Sequence, residues 1–222
     1  MTRLRVLAVL AAAVTGCCLS PVPALAQNTG SPGPYVVDVR GSTAGLPNSP
    51  SFFPALSADT LIPSRGFGLD VGGHVYPFGI GAARVGFGIN IIRTWASAST
   101  EVAPVATGLP ADAVVDPPDV RGTLTALAPQ ISFNFGGASG WSYARAGLGR
   151  AEIVTVAHPV RSGPDVEQRS GSMRSINIGG GARWFTRPRM AVAFDVRFHK
   201  LSATGDVLAS TVMSASVGVS LR

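Results

Sequence analysis

The stretch INIGGGARWFTRPRMAVAFDVRFHKL, Ile176 to Leu201, alternates with a period of two through most of its length. In its second half Met190, Val192, Phe194, Val196 and Phe198 share one parity, and Ala191, Ala193, Asp195, Arg197 and His199 share the other. Successive side chains on a strand point to opposite faces, so this half is a strand with one apolar side and one small or charged side. The first half repeats the pattern, setting Ile176, Ile178, Gly180, Ala182 and Trp184 against Ser175, Asn177, Gly179, Gly181 and Arg183. Only Thr186-Arg187-Pro188-Arg189 lies between them, and Pro presets φ for a tight turn. The stretch is a hairpin of two amphipathic strands.

The rest of the sequence repeats that unit. Alternating segments run over Tyr35–Arg40, Gly66–Tyr76, Arg84–Trp95, Thr123–Phe135, Trp141–Ala157 and Ser210–Leu221, which with the hairpin gives eight strands. The connections after strands two, four and six are short. Those after one, three and five are long loops, Gly41–Arg65, Ala96–Gly122 and His158–Ser172, rich in Gly, Pro, Ser and acids, and a shorter loop, Ser202–Leu208, precedes the last strand. Strand five fits least well. Ala144, Ala146 and Leu148 share a parity, but Ala151, Ile153 and Thr155 carry the next apolar set on the other. A one-residue bulge near Gly149 would restore a single apolar face and group Arg145, Arg150 and Glu152 on the polar one.

Composition agrees with spans built from strands. The 222 residues include 27 Gly, only 14% are charged, and mean hydropathy is +0.31. No run of eighteen apolar residues exists beyond the N-terminal segment, so hydrophobicity is dispersed at alternate positions. Cys17 and Cys18 are the only cysteines, which excludes a disulfide framework or a thiolate metal site from the body of the chain. The basic residues are 17 Arg and Lys200, scattered along the sequence, so nucleic acid is not an expected partner.

Arg3 and Arg5 precede an apolar segment, Val6–Val14, and Ala24-Leu25-Ala26 supplies a small-x-small cleavage site. Residues 1–26 are therefore expected to be a signal peptide, 27–34 a linker and 35–222 the folded domain. Removing Arg3 and Arg5 lowers the formal charge from +6 to +4. Val14-Thr15-Gly16-Cys17 offers a rival, a lipobox with lipidation at Cys17; either route takes the protein out of the cytoplasm.

The same alternation would suit a soluble barrel with its apolar face turned inward. The polar face decides. It carries Asp38, Arg40, Asp70, His74, Asn90, Arg145, Arg183, Asp195, Arg197 and His199 among many Gly, Ala and Ser. Small residues with opposite charges suit the crowded interior of an eight-stranded barrel better than a water-facing surface. The expected fold is all-β: an eight-stranded antiparallel up-and-down transmembrane β-barrel. Short turns and both termini would lie on the periplasmic side, and Tyr76, Trp141, Tyr143, Trp184 and Phe185 near the short turns would form an aromatic girdle.

This layout resembles the small eight-stranded outer-membrane barrels of the OmpA transmembrane-domain and OmpX-like type. The segment NIGGGARWFTRPRMAVAFDVRF is the most specific part, similar to the Gly-rich strand, aromatic, basic turn and D-x-R strand of OmpA-like barrel domains. The last strand, with Ser216, Gly218 and Leu221, resembles the class's assembly signal but ends on Arg222 instead of an aromatic. The resemblance implies a monomer in the outer membrane that meets outer-membrane lipid or lipopolysaccharide, the barrel-assembly machinery and an unidentified extracellular partner. With no peptidoglycan-binding domain after the last strand, a tethering role is not implied.

Candidate chemistry is sparse. Asp195-x-Arg197-x-His199 puts three ionisable groups on one face, and buried charge is tolerable only when paired, so the expected role is a lumen network with partners such as Asp70 or Arg183. Asp38, Arg40, Asp70, His74, Arg145, Arg183, Asp195, Arg197 and His199 are assigned to it. His74 and Asp70 lack further ligands for a metal, and Gly179-Gly180-Gly181 lacks the Lys and helix of a phosphate loop, so no cofactor is expected. Close packing is the expected use of those glycines. Some outer-membrane barrels modify lipid A with His and Ser near the outer rim, where His158, Ser162 and His199 fall, but no sharp motif accompanies them. The expectation is a non-enzymatic, surface-exposed or structural protein. A lipid-modifying enzyme and a lipid-anchored soluble barrel binding an apolar ligand remain as alternatives.

Overall fold

A computed structural model describes residues 34–47, 61–81, 83–99, 119–137, 139–158, 164–205 and 207–222. The leader, the linker up to residue 33 and the two routes at Ala26 and Cys17 lie outside the described residues. Nine strands are present: β1 (Tyr35–Gly45), β2 (Arg65–Ile80), β3 (Ala83–Ala98), β4 (Asp119–Gly137), β5 (Gly140–His158), β6 (Val166–Arg169), β7 (Met173–Arg187), β8 (Met190–Leu201) and β9 (Ser210–Leu221). Eight form a closed antiparallel ring in chain order, with β5 bonded to both β4 and β7 and the ring shut by β1 against β9. The described residues include no helix long and apolar enough to cross a membrane.

The strands run further than alternation alone predicts. β1 continues into the first expected loop as far as Gly45, and β3 and β4 extend into the second to Ala98 and Asp119. The third expected loop, His158–Ser172, contains β6, which pairs with the outer end of β5 from Val154↔Arg169 to Ala157↔Val166. Four residues with mixed polarity give too short a period to read.

Parity sets the two faces. Even positions of β1 and odd positions of β5, β7 and β8 point inward, while Val37, Val39, Leu69, Val71, Ile89, Ile131, Ile178 and Phe194 point out and stay exposed. Phe67 and Leu148 reach 68% exposure. Water would not tolerate a continuous ring of such residues; hydrocarbon would, since every backbone group is paired and no sheet edge faces it. On β7 the outward apolar run from Ile176 to Trp184 spans residues 176–184, within the roughly 9–11 residues that a tilted membrane strand takes.

The expected bulge at Gly149 is absent. β5 and β7 pair without a break from Gly140↔Trp184 to Ala151↔Met173, and β4–β5 keeps one register from Leu127↔Arg150 to Gln130↔Gly147. The change of parity in strand five is a change of surroundings. Above Gly149 the interior becomes apolar, with Ala44, Ile92, Leu124, Ala126, Ala151, Ile153, Met173, Leu201, Val207 and Val212 in one buried cluster. The exterior becomes polar over the same stretch, with Arg93, Thr123, Thr125, Arg150, Glu152, Arg174, Lys200 and Thr211 outward. Arg145 faces in, whereas Arg150 and Glu152 face out, so the expected grouping of the three does not occur. Strands β3, β4, β5, β7 and β8 behave as membrane strands near the short turns and as soluble-barrel strands beyond them.

The girdle expectation also changes. Trp184 points outward, but Tyr76, Trp141 and Tyr143 are 2%, 2% and 5% exposed and pack inside with Val36 and Phe185. Their parity is that of His74 and Arg145, and parity outweighs nearness to a turn. Outward aromatics at that end are Tyr35, Phe78 and Trp184, while Phe67 sits opposite Trp95 at the other.

The inversion predicts a position-dependent tolerance for charge. Val217→Arg, outward in the middle of the belt, is expected to cost about 2–4 kcal/mol, and Val154→Arg, outward above it, less than about 0.5 kcal/mol. Urea midpoints of both variants refolded into lipid vesicles check this.

Candidate functional site: the charged lumen

The interior is layered. Nearest the short turns lies an aromatic floor in which Tyr76 meets Trp141 edge-on at 6.1 Å between centroids, and Trp141 meets Phe185 at 5.0 Å. Arg183 covers this floor, its guanidinium 4.1 Å from the Tyr143 ring centre, and Arg222 lies 3.8 Å over Phe185 from the other side.

Above the floor is the ionic layer. Arg183 donates from Nη2 and Nε to the two Asp38 carboxylate oxygens at 2.7 and 3.1 Å, joining β7 to β1 across 145 residues of sequence. Ser220 of β9 also donates to Asp38 and accepts from Arg183 Nε at 3.2 Å. Arg40 lies 3.5 Å from Asp38, donates to Asp70 at 3.3 Å and to the Tyr143 hydroxyl at 3.1 Å. Tyr143 in turn donates to Asp195 at 2.9 Å. Arg197 is the hub: it donates to Asp195 at 2.5 Å, and also to Asp70 and to the side-chain oxygen Oδ1 of Asn90. Asn90 gives a second bond to Asp70 at 2.5 Å, Ser216 another at 3.1 Å, and Arg145 pairs with Asp195. Side chains from β1, β2, β3, β5, β7, β8 and β9 thus meet in one network.

The structure places all nine sequence-assigned residues inside the barrel. Asp38, Arg40, Asp70, Arg145, Arg183, Asp195 and Arg197 join the ionic layer. Asp70 does pair with Arg197, but Arg183 takes Asp38 and not the Asp195–His199 segment. The two histidines stand apart: His199 meets Ser214 at 3.1 Å, and the His74 ring stacks parallel to Tyr76 at 6.3 Å. His199 therefore does not join His158, whose Nδ1 contacts Asp165 at 2.8 Å on the exposed rim; Ser162 lies outside the described residues. Also on that rim, a hydrogen bond to Glu167, then its charge and that of Glu152, raise the pKa of Arg169.

Several participants escaped the sequence reading. Nearness to a turn gives Tyr143 to the girdle and the terminal motif gives Ser216 to the assembly signal. Alternation gives Asn90 to the polar face without a place in the network, and it singles out neither Ser220 nor Gln130 and Asn177, which meet at 2.9 Å. The available signal was parity alone, since each shares the face of a named charge.

Inward glycines make the room. A methyl at Gly181 would lie 2.0 Å from the Phe194 carbonyl oxygen and 2.6 Å from the Tyr143 hydroxyl, and one at Gly179 would lie 2.5 Å from Arg197 Cγ. Gly179-Gly180-Gly181 is a packing feature. Among the described residues no group of three or more His, Cys, Asp or Glu is arranged to hold a metal.

Asp70 takes bonds from Arg40, Asn90, Arg197 and Ser216, so Asp70→Ala removes one carboxylate partner from each of two buried guanidiniums and leaves the layer with two uncompensated positive charges. The expected loss is about 3–5 kcal/mol, read as a lower urea midpoint of the folded band on unboiled gels.

No protein-family model and no curated protein sequence matches the chain. Solved structures do. The attachment invasion locus protein Ail of Yersinia pestis, in complex with the heparin analogue sucrose octasulfate, is similar with a TM-score of 0.53 at 10% identity, over 84% of this chain and 96% of that one. Neisserial surface protein A, NspA, matches with a TM-score of 0.51 at 12% identity, over 86% and 97%. Closed ring, inward charges and outward apolar belt together give this chain the fold of the small eight-stranded outer-membrane barrels.

Proposed function

We propose that the protein is an integral outer-membrane barrel without enzymatic activity, whose role is to hold a water-exposed β-extension at the cell surface for contact with a partner. The observation that carries this reading is the inversion of polarity along β3, β4, β5, β7 and β8. A barrel with only a structural task in the bilayer could end where the belt ends. Here β3, β4 and β5 continue beyond it around a separate apolar core, and β6 adds a short outer strand.

The alternatives fit less well. A soluble barrel carrying an apolar ligand needs an apolar cavity, and the middle of this interior is filled by paired charges between an aromatic floor and an aliphatic ceiling. A rim enzyme built on His158 and His199 needs them together, and His199 sits within the lumen beside Ser214.

Orientation and insertion are tested together. The membrane-extracted protein is expected to change gel mobility on boiling, and trypsin added to intact cells is expected to cut near Arg169 but not at Arg189. The absence of a heat shift, or cleavage at the Pro188 turn in intact cells, overturns the reading. Replacing residues 159–169 with a short turn, in a barrel that still shifts on heating, is expected to alter cell attachment while leaving detergent tolerance unchanged. The opposite pattern assigns the protein to envelope integrity instead.

A further inference from the structure

The outer face at the junction of belt and extension carries an arrangement of cations that the fold itself does not need. Arg150 of β5 and Arg174 of β7 stand directly opposite each other in the ladder, both outward and exposed. On the other side of β7 the Arg174 carbonyl accepts from the Ser202 N–H at 2.9 Å, which sets Lys200 of β8 diagonally below Arg174 on the same outward face. Like charges directly opposite across a ladder weaken a sheet. Among the described residues no carboxylate forms an ion pair with either arginine; Arg150 reaches only Ser172 Oγ at 3.4 Å. The outward acid further along β5, Glu152, is engaged by Arg169.

Further down this face, past Leu148 opposite Ile176 and Ala146 opposite Ile178, the belt is relieved. Ala144 stands opposite Gly180 and Ser142 opposite Ala182, while Phe133 flanks Ala144 on the β4 side and Val196 and Phe194 flank Gly180 and Ala182 on the β8 side. Small pairs between large neighbours leave a shallow depression on the hydrocarbon face, separated from the cation cluster by the outward side chains of Leu148, Ile176 and Ile178.

We propose that Arg150, Arg174 and Lys200 bind the phosphate of a phosphorylated acyl-glycolipid of the outer leaflet, with an acyl chain passing over Leu148 and Ile176 toward the depression between Phe133 and Val196. This rests on the outer-membrane reading above. Charge complementarity selects the occupant. Two guanidiniums and an ammonium at headgroup height match a phosphomonoester, which carries close to two negative charges and three acceptor oxygens, and guanidinium bonds it bidentately. A phosphodiester headgroup offers one charge and fills the cluster incompletely.

The test uses the full barrel, refolded in detergent, and native mass spectrometry with bisphosphorylated lipid A, its monophosphorylated form, and phosphatidylglycerol as separate probes. Wild type is expected to retain bisphosphorylated lipid A most strongly, with R150Q/R174Q weaker by about tenfold or more and R150K/R174K intermediate. R187Q/R189Q at the opposite end is expected to match wild type. For the wild-type protein alone, retention should fall steeply between about 50 and about 500 mM salt. Equal retention by R150Q/R174Q, equal retention of phosphatidylglycerol, or insensitivity to salt overturns the proposal. The heat shift of the same samples separates this outcome from failure of the barrel reading, because a shifted band without selective lipid retention rejects the lipid site alone.

Discussion

Eight strands enclose an interior wide enough for side chains and too narrow for a water column, so any charge placed there must find its counter-charge within the barrel. This constraint organises the molecule. Four arginines and three aspartates meet in one layer, and each carboxylate receives donors from at least two strands. Arg183 with Asp38 and Arg197 with Asp70 tie late strands to early ones, so the network forms only when β1 has closed against β9. It makes ring closure and charge pairing a single event. An open or misregistered sheet would leave guanidiniums buried without partners, a penalty far larger than the loss of a few ladder hydrogen bonds.

The second constraint is solvent. A strand's two faces are chemically distinct only with respect to what surrounds them. Near the short turns the outside is hydrocarbon, so Val, Ile and Phe face out and ions face in. Beyond Gly149 the outside is water, and the same geometry demands the reverse, with Ile153 inside and Glu152 outside. The two storeys are joined without a bulge, because inversion needs only a change of residue type at fixed parity. The cations gather outside at that join, where apolar and aqueous surroundings meet.

Much of this was legible in the residues. The eight strands of the ring, the hairpin Ile176–Leu201, the inward face bearing Asp195 and Arg197 and the outward face bearing Phe194 and Phe198 all follow from alternation. The reading went astray where it abandoned parity for a secondary cue. Tyr76, Trp141 and Tyr143 were placed outside because they lie near turns, although their parity put them with His74 and Arg145. A bulge was invoked at Gly149 to keep one apolar face, on the assumption that the surroundings were constant along the strand. β6 was missed because four residues carry too little periodicity.

Alternation assigns each residue to a side of the sheet, because pleating is local and its period of two needs no partner. Which charges meet, where the interior turns from ionic to aliphatic, and that Arg150 faces Arg174 are properties of the closed ring. Those depend on register between strands distant in sequence and on the curvature that brings opposite walls within reach, and both arise only when the ring is closed.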